Sequence, residues 1–360
     1  MSSWRCRVGQ PQAEKPAQHK GPPYATLPTR VRIEGCPRGG DSTYDPPMRE
    51  PQALAATWDD GVFVYIGENR YHELAGQPIG ALAPDGHGGA LAIVCGHALR
   101  RRTADGQWIT LATSEVQLSC CVSVGDVIYV GTDDARVLRV GKTGDIEPLR
   151  GFEAVAGRDT WYAGSAVIDG QRVGPPLGVR SIAVTADRRA LLANVHVGGI
   201  PRSTDGGATW HPTIDIDSDV HEVCAHPTDP EIVIAAAAVG LCVSHDGGAT
   251  WTVDQDGLDS LYCSAVAFLG RDLVVAASTD HFAKQGAVYR RPLDRRHSLQ
   301  PVEGLPRWID GIADTRCIST QGSAAAVADR AGNLWLSTDS GQTWGRRAEG
   351  LPAPSSVLIL

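Results

Sequence analysis

Two clusters in the second half of the chain have the side-chain types and spacing of a divalent-metal or acid/base site. The first combines Asn194 and His196 with Asp215, Asp217, Asp219 and His221; the second pairs Asp280 with His281. Imidazole favours zinc, iron or copper and carboxylate favours magnesium, calcium or manganese, so His196, His221 and His281 are candidate ligands of a divalent ion, with the acidic residues completing the set. Without an ion, His221, Asp219 and Asp280 have the chemistry of a general acid and base. Arg180 and Arg316 can each clamp a carboxylate or phosphate with two parallel hydrogen bonds. Asn194, Trp161, Tyr162 and Trp308 are further candidate ligand contacts. The plainer alternative makes Asp217-Ser218-Asp219 a turn bonded to its own backbone and His221 a satisfied packing residue.

Positioning these residues falls to a repeat. Ser203-Thr204-Asp205-Gly206-Gly207-Ala208-Thr209-Trp210 returns as Ser244-His245-Asp246-Gly247-Gly248-Ala249-Thr250-Trp251 and as Ser337-Thr338-Asp339-Ser340-Gly341-Gln342-Thr343-Trp344. Each copy reads as a tight turn in which the Asp accepts backbone N–H groups and the Gly two residues on takes a conformation other residues avoid. Thr103-Ala104-Asp105-Gly106-Gln107-Trp108 is a shortened copy. Hairpins without the turn follow Gly61, Arg136 and Gly286. Seven outer hairpins at a period of about 40 residues, with four strands each, predict an all-β seven-bladed β-propeller. The first hairpin lacks an inner strand, and Ser355-Ser356-Val357-Leu358-Ile359-Leu360 can supply it, so the C-terminal strand should close the ring.

The octet resembles the Asp-box, or BNR, repeat of the sialidase-like β-propellers within the WD40/YVTN/BNR-like superfamily, whose pattern is Ser/Thr-x-Asp-x-Gly-x-Thr-Trp. That resemblance implies turns between the third and fourth strands of a blade, on the face opposite the active site. For a sialidase-like glycoside hydrolase it implies an arginine triad, for which Arg158, Arg180 and Arg316 are available, with Tyr262 as nucleophile and an Asp as acid. The family's Arg-Ile-Pro motif is absent; Ile200-Pro201-Arg202 has another order. Similar propellers in sorting receptors and photosystem assembly factors hold proteins, which keeps a non-catalytic protein-interaction scaffold open.

Around this core, residues 1–48 are proline-rich with few apolar clusters and read as an irregular or disordered arm, leaving 49–360 as a single propeller domain. Residues 151–177 exceed the repeat and should form an insertion on the face opposite the boxes, where long loops often serve function. The net charge of −8 gives no electrostatic footprint for nucleic acid. No apolar run approaches a membrane span of about 18 residues and no signal peptide is evident, so a cytoplasmic protein is expected. Nine cysteines without regular spacing fit reduced thiols. The reading that follows is an enzyme of hydrolase or lyase type, binding a small polar, anionic or sugar-like ligand in the central funnel, with a protein partner still open.

Overall fold

Short apolar runs, each ended by a glycine or an Asp-bearing turn, pair as antiparallel strands because successive side chains alternate between the two faces of a sheet. The structure, a computed structural model, describes residues 50–163, 166–168, 171–173, 177–279, 284–294 and 297–360. The expected amino-terminal arm, Asp280 and His281 lie outside the described residues. Seven antiparallel blades form the ring, as the repeat count predicts. Blade one comprises Gln52–Thr57, Val62–Ile66 and Asn69–Glu73, and its innermost strand is Pro354–Ile359, which pairs Ala53 with Ile359 and Ala55 with Val357. The C-terminal strand thus closes the ring. Blade four is built from Val179–Val184, Leu191–Val195, Pro201–Ser203 and His211–Pro212, and blade five from Val220–Ala225, Val233–Ala237, Gly240–Ser244 and Thr252–Asp254. Blades two, three, six and seven begin at Ile79–Pro84, Leu118–Val124, Tyr262–Leu269 and Ile318–Gln321.

The core lies between adjacent blades. Ala183, Leu192 and Ile200 of blade four, for example, share one buried cluster with Val220, Val223 and Val233 of blade five. The three repeated turns lock these layers from outside. In the first, Ser203 Oγ donates to Asp205 Oδ1 (2.8 Å) and accepts from Gly207 N–H (2.9 Å), while Thr209 donates to the same carboxylate through both N–H (2.9 Å) and hydroxyl (2.6 Å). The other two turns repeat the scheme. The glycine at the fifth position has positive φ in all three, and a Cβ there would collide with a leucine of the preceding element: Leu149, Leu192 or Leu269. Glycine is therefore required twice over, by conformation and by contact. Arg202 and Arg290 tie the blades further, donating to the Gly247 (2.8 Å) and Gly341 (3.0 Å) carbonyls of the next blade's turn.

At their other end the inner strands carry a recurring bulge, with register shifts between Ile79 and Ala81, Leu118 and Cys120, Val179 and Ser181, Val220 and Glu222, Cys263 and Ala265, and Pro354 and Ser356. A bulge re-aims the extra side chain out of the ladder. Three bulge-position residues use this freedom alike: Ser355 Oγ donates to Ile79 O (2.5 Å), Ser119 Oγ to Val179 O (2.5 Å), and His221 Nδ1 meets Cys263 O (2.5 Å), each reaching the next blade. The segment after blade three contains a short helix at Arg150–Glu153 and a 3-10 turn at Arg158–Thr160. It runs along the flank of blade four, with Phe152 edge-on to Trp210 and Trp161 buried. Cys120, Cys121, Cys224, Cys242, Cys263 and Cys317 are free thiols, and no described helix is long and apolar enough to cross a membrane.

Candidate functional site

Three side chains from two neighbouring blades meet on the face opposite the repeated turns. His196 opens the turn after Val195 in blade four. Asp219 ends a 3-10 turn at Ile216–Ser218 in the left-handed conformation (φ 49°), which aims its carboxylate back across the blade junction. His221 occupies the bulge of blade five's inner strand. His196 Nε2 lies 3.0 Å from Asp219 Oδ1 and His221 Nε2 lies 3.6 Å from Asp219 Oδ2, and one donor atom from each residue fits within a 4.8 Å group. Both imidazoles are buried, at 3 % and 2 % exposure, whereas the carboxylate is partly open to solvent.

The tautomer of His221 follows from its partner. A carbonyl can only accept, so Nδ1 carries the proton given to Cys263 O, and in the neutral ring Nε2 is a bare lone pair facing a carboxylate. Neither His221 Nε2 nor Asp219 Oδ1 has a hydrogen bond of acceptable geometry among the described residues, although both are shielded from water. Buried lone pairs turned towards each other are unfavourable unless a cation or proton lies between them. An ion held at 2.0–2.2 Å by ligands at octahedral or tetrahedral angles separates neighbouring donors by about 2.9–3.5 Å; the two imidazole–carboxylate spacings are near this range, and the group within 4.8 Å would tighten on an ion. Burial holds the His196 imidazole below its ordinary pKa, aided by nearby Arg180. Burial pushes the Asp219 carboxyl the other way, but contacts with the two imidazoles outweigh it and hold the group well below the usual carboxylate range. A neutral His196 beside an ionised Asp219 matches the protonation states a metal needs.

The surroundings are polar and ordered. Tyr262 packs against His221 with ring centroids 4.6 Å apart and the planes tilted by 46°, and burial together with the Asp219 charge raises its hydroxyl pKa to about 12. Arg180 Nη2 donates to Thr315 Oγ1 (2.9 Å), and Thr315 Oγ1 donates to the His221 carbonyl (3.2 Å). Arg316, at φ 67°, reaches across the ring to the carbonyls of Arg180 (2.6 Å) and Gly80 (3.1 Å), so two of its nitrogens serve backbone groups of blades four and two. Glu222 is buried beside it and accepts the backbone N–H groups of Arg316 and Val266, each at 3.1 Å; burial pushes its carboxyl up to about 7.

The remaining candidates separate. Asn194 is fully buried and donates to the Val220 carbonyl (2.7 Å). Trp161 is buried, and Tyr162 is exposed with its N–H on the Val197 carbonyl beside His196. Trp308 is exposed, with the Arg307 guanidinium over its ring. Arg158 stacks on Trp161 at the flank of blade four, so it does not converge with Arg180 and Arg316 into a triad. Thr315 and Glu222 join the site without having been singled out; an acidic residue within the apolar run Val220 to Cys224 was the available signal for Glu222, and Thr315 gave none.

No protein-family model and no curated protein matches the sequence. Solved structures that resemble the chain include the GH74 enzyme of Niastella koreensis (13 % identity, TM-score 0.52), the WD40 β-propeller domain of Doa1 (10 %, 0.52) and a chain of the Mitotic Checkpoint Complex (12 %, 0.53). They cover 81 %, 81 % and 91 % of this chain and 46 %, 84 % and 90 % of their own, so the chain spans under half the length of the GH74 enzyme. At these identities the likeness establishes the β-propeller fold.

Proposed function

We propose that the protein is a metal-dependent enzyme acting on a small polar or anionic ligand at the channel mouth, with His196, Asp219 and His221 as the ligands of a divalent ion. The observation that carries this reading is the buried His221 Nε2, which has no hydrogen bond among the described residues and lies 3.6 Å from the Asp219 carboxylate while Nδ1–H is committed to Cys263. Three protein ligands are fewer than a structural site uses, and they leave positions for substrate. When bound, the ion would supply Lewis acidity to a substrate oxygen. The chain's own residues do the rest: the Cys263 carbonyl fixes the His221 tautomer, Arg180 supplies a positive flank, and Tyr262 walls the site against water. Tyr262 does not suit a nucleophile, because its hydroxyl is held in the protonated form.

Elemental analysis of the purified protein, repeated on Asp219→Asn, tests the reading. Asn tolerates the left-handed conformation at this position and keeps the shape of the side chain. One equivalent of metal in the parent and a clear loss in the variant is the expected result; a parent without metal, even after reconstitution with zinc, manganese or iron(II), would sink it. A protein-interaction scaffold is the second reading. It is favoured by the exposed Trp58, Trp308 and Tyr162, and solved neighbours include a WD40 domain and a checkpoint-complex chain. The likeness of the three octets to Asp-boxes is part of the same proposal and bears on ancestry rather than chemistry.

A further inference from the structure

We propose that Arg180 and Arg330 form an anion-binding pair beside this site and that Asp314 is its built-in competitor, displaced when an anionic ligand enters. The inference deepens the metal reading and rests on it for the second anchor of the ligand, but the pair itself is drawn from separate contacts.

Asp314 sits between two guanidiniums from different blades. Arg180 Nη2 approaches its Oδ1 at 3.4 Å and Arg330 Nη2 its Oδ2 at 3.3 Å, and the carboxylate side chain remains 40 % exposed. A permanent pair in the same molecule looks different: Arg102 grips Glu73 through two parallel bonds of 2.8 Å, with both side chains largely buried. Apart from the neighbouring Thr315 N–H on Oδ1 (2.8 Å), two long, half-hydrated arginine contacts, one per oxygen, hold this carboxylate, and water and salt screen them enough for exchange. Among the described residues Arg180 forms hydrogen bonds only through Nη2, which leaves the rest of its planar fork for a second acceptor. The entrance is at hand. A cleft of about 160 Å³ between blades seven and one is lined by Asp314, Arg330 and Trp58.

Charge decides the class of ligand. Asp219 and Asp314 balance Arg180 and Arg330, while Arg316 is answered by Glu222 on its own N–H and by Asp133. With all four carboxylates ionised, a divalent ion on neutral imidazoles still leaves one positive charge unmatched in a half-buried place, which is costly until an anion arrives. A small carboxylate or phosphate meets the requirement, with one group on the arginines and an oxygen turned to the metal ligands. Asp314, one residue from Thr315, would swing outwards while its backbone stays tied by Cys317 N–H to its carbonyl (2.8 Å).

The test is calorimetric titration of acetate and of inorganic phosphate into the full chain, its Arg180→Gln variant and its Asp314→Asn variant, with metal content and melting temperature measured on each sample. Asp314→Asn keeps the acceptor for Thr315 N–H and removes the competing charge, so whichever probe binds should bind at least threefold more tightly. Arg180→Gln should weaken it tenfold or more with metal retained. Equal or weaker affinity in Asp314→Asn, with folding intact, overturns the proposal. The two readings fail separately: anion binding that follows Arg180 and Asp314 in metal-free protein upholds the pair and sinks the metal, whereas metal-loaded protein that binds neither probe sinks the pair alone.

Discussion

Asn194 donates its side-chain amide to the Val220 carbonyl across 2.7 Å, from a fully buried position at the junction of blades four and five. The bond ties the residue two before His196 to the peptide between Asp219 and His221, so a single contact fixes the spacing of all three proposed ligands. Ser181 adds a parallel clasp by accepting Val223 N–H at 2.9 Å. The junction is therefore set by side chains that reach backbone, not by strand pairing between blades.

Asn194→Ala should lower stability by about 1–3 kcal/mol, the usual cost of orphaning a buried carbonyl. It should also weaken metal binding by roughly 10- to 100-fold, as loss of an outer-shell partner does. Urea unfolding and a metal titration on the same variant check both. A stability loss with unchanged metal affinity would make Asn194 a clasp only.

The repeated turns predict an acid limit. The Thr209 and Thr343 hydroxyls are the largest influence on Asp205 and Asp339, and on Asp246 burial is outweighed by Thr250; each carboxyl is lowered to about 2. Their unfolded value is about 3.9, so the unfolded chain binds protons first as pH falls. The stabilisation is complete above about pH 4 and is lost as pH drops towards about 2. Replacing Thr209, Thr250 and Thr343 by Val should move the acid-unfolding midpoint, followed by circular dichroism, to higher pH; an unchanged midpoint would show that the hydroxyls do not set it.

Much of the fold was legible because each repeated turn closes on itself: Ser, Asp, Gly and Thr of one octet satisfy one another within eight residues, so their order in the chain reports their geometry. The closing strand was legible by counting, since Val62–Ile66 and its partners left one inner position unfilled. The site was legible only as residue types. His196 and His221 are 25 positions apart, and what joins them is the bulge at His221 and the left-handed turn at Asp219, neither of which alternation of apolar residues reveals. Arg158 shows the converse: an arginine near the right loops stacks on Trp161 because the flank of blade four offers an aromatic face.

Two glycines in adjacent positions of the repeat separate conformation from contact. Gly206 has φ +73° and open space around it, whereas Gly248 has φ +83° and Leu192 against it. Gly206→Ala should cost about 1–2 kcal/mol, the penalty of left-handed backbone alone. Gly248→Ala adds overpacking of the blade-four leucine, a further 1–3 kcal/mol or so. Denaturant midpoints of the two variants check the order, and equal losses would show that Leu192 yields without cost.

Ring closure predicts the largest effect. Truncation after Ala353 removes Pro354–Ile359, a strand buried along its whole length. Burying Val357, Leu358 and Ile359 stabilises by about 1.5–3 kcal/mol each, so their loss alone approaches the 5–15 kcal/mol that holds a whole domain. It also exposes the apolar edge of Gln52–Thr57, whose N–H and C=O groups would be free to pair with another chain. The truncated protein should be unfolded or aggregated at 25 °C by light scattering and circular dichroism, and a synthetic peptide spanning 351–360 should restore part of the folded signal. A truncated chain that stays monomeric, with a melting temperature within a few degrees of the parent, would mean that blade one holds the ring without its inner strand.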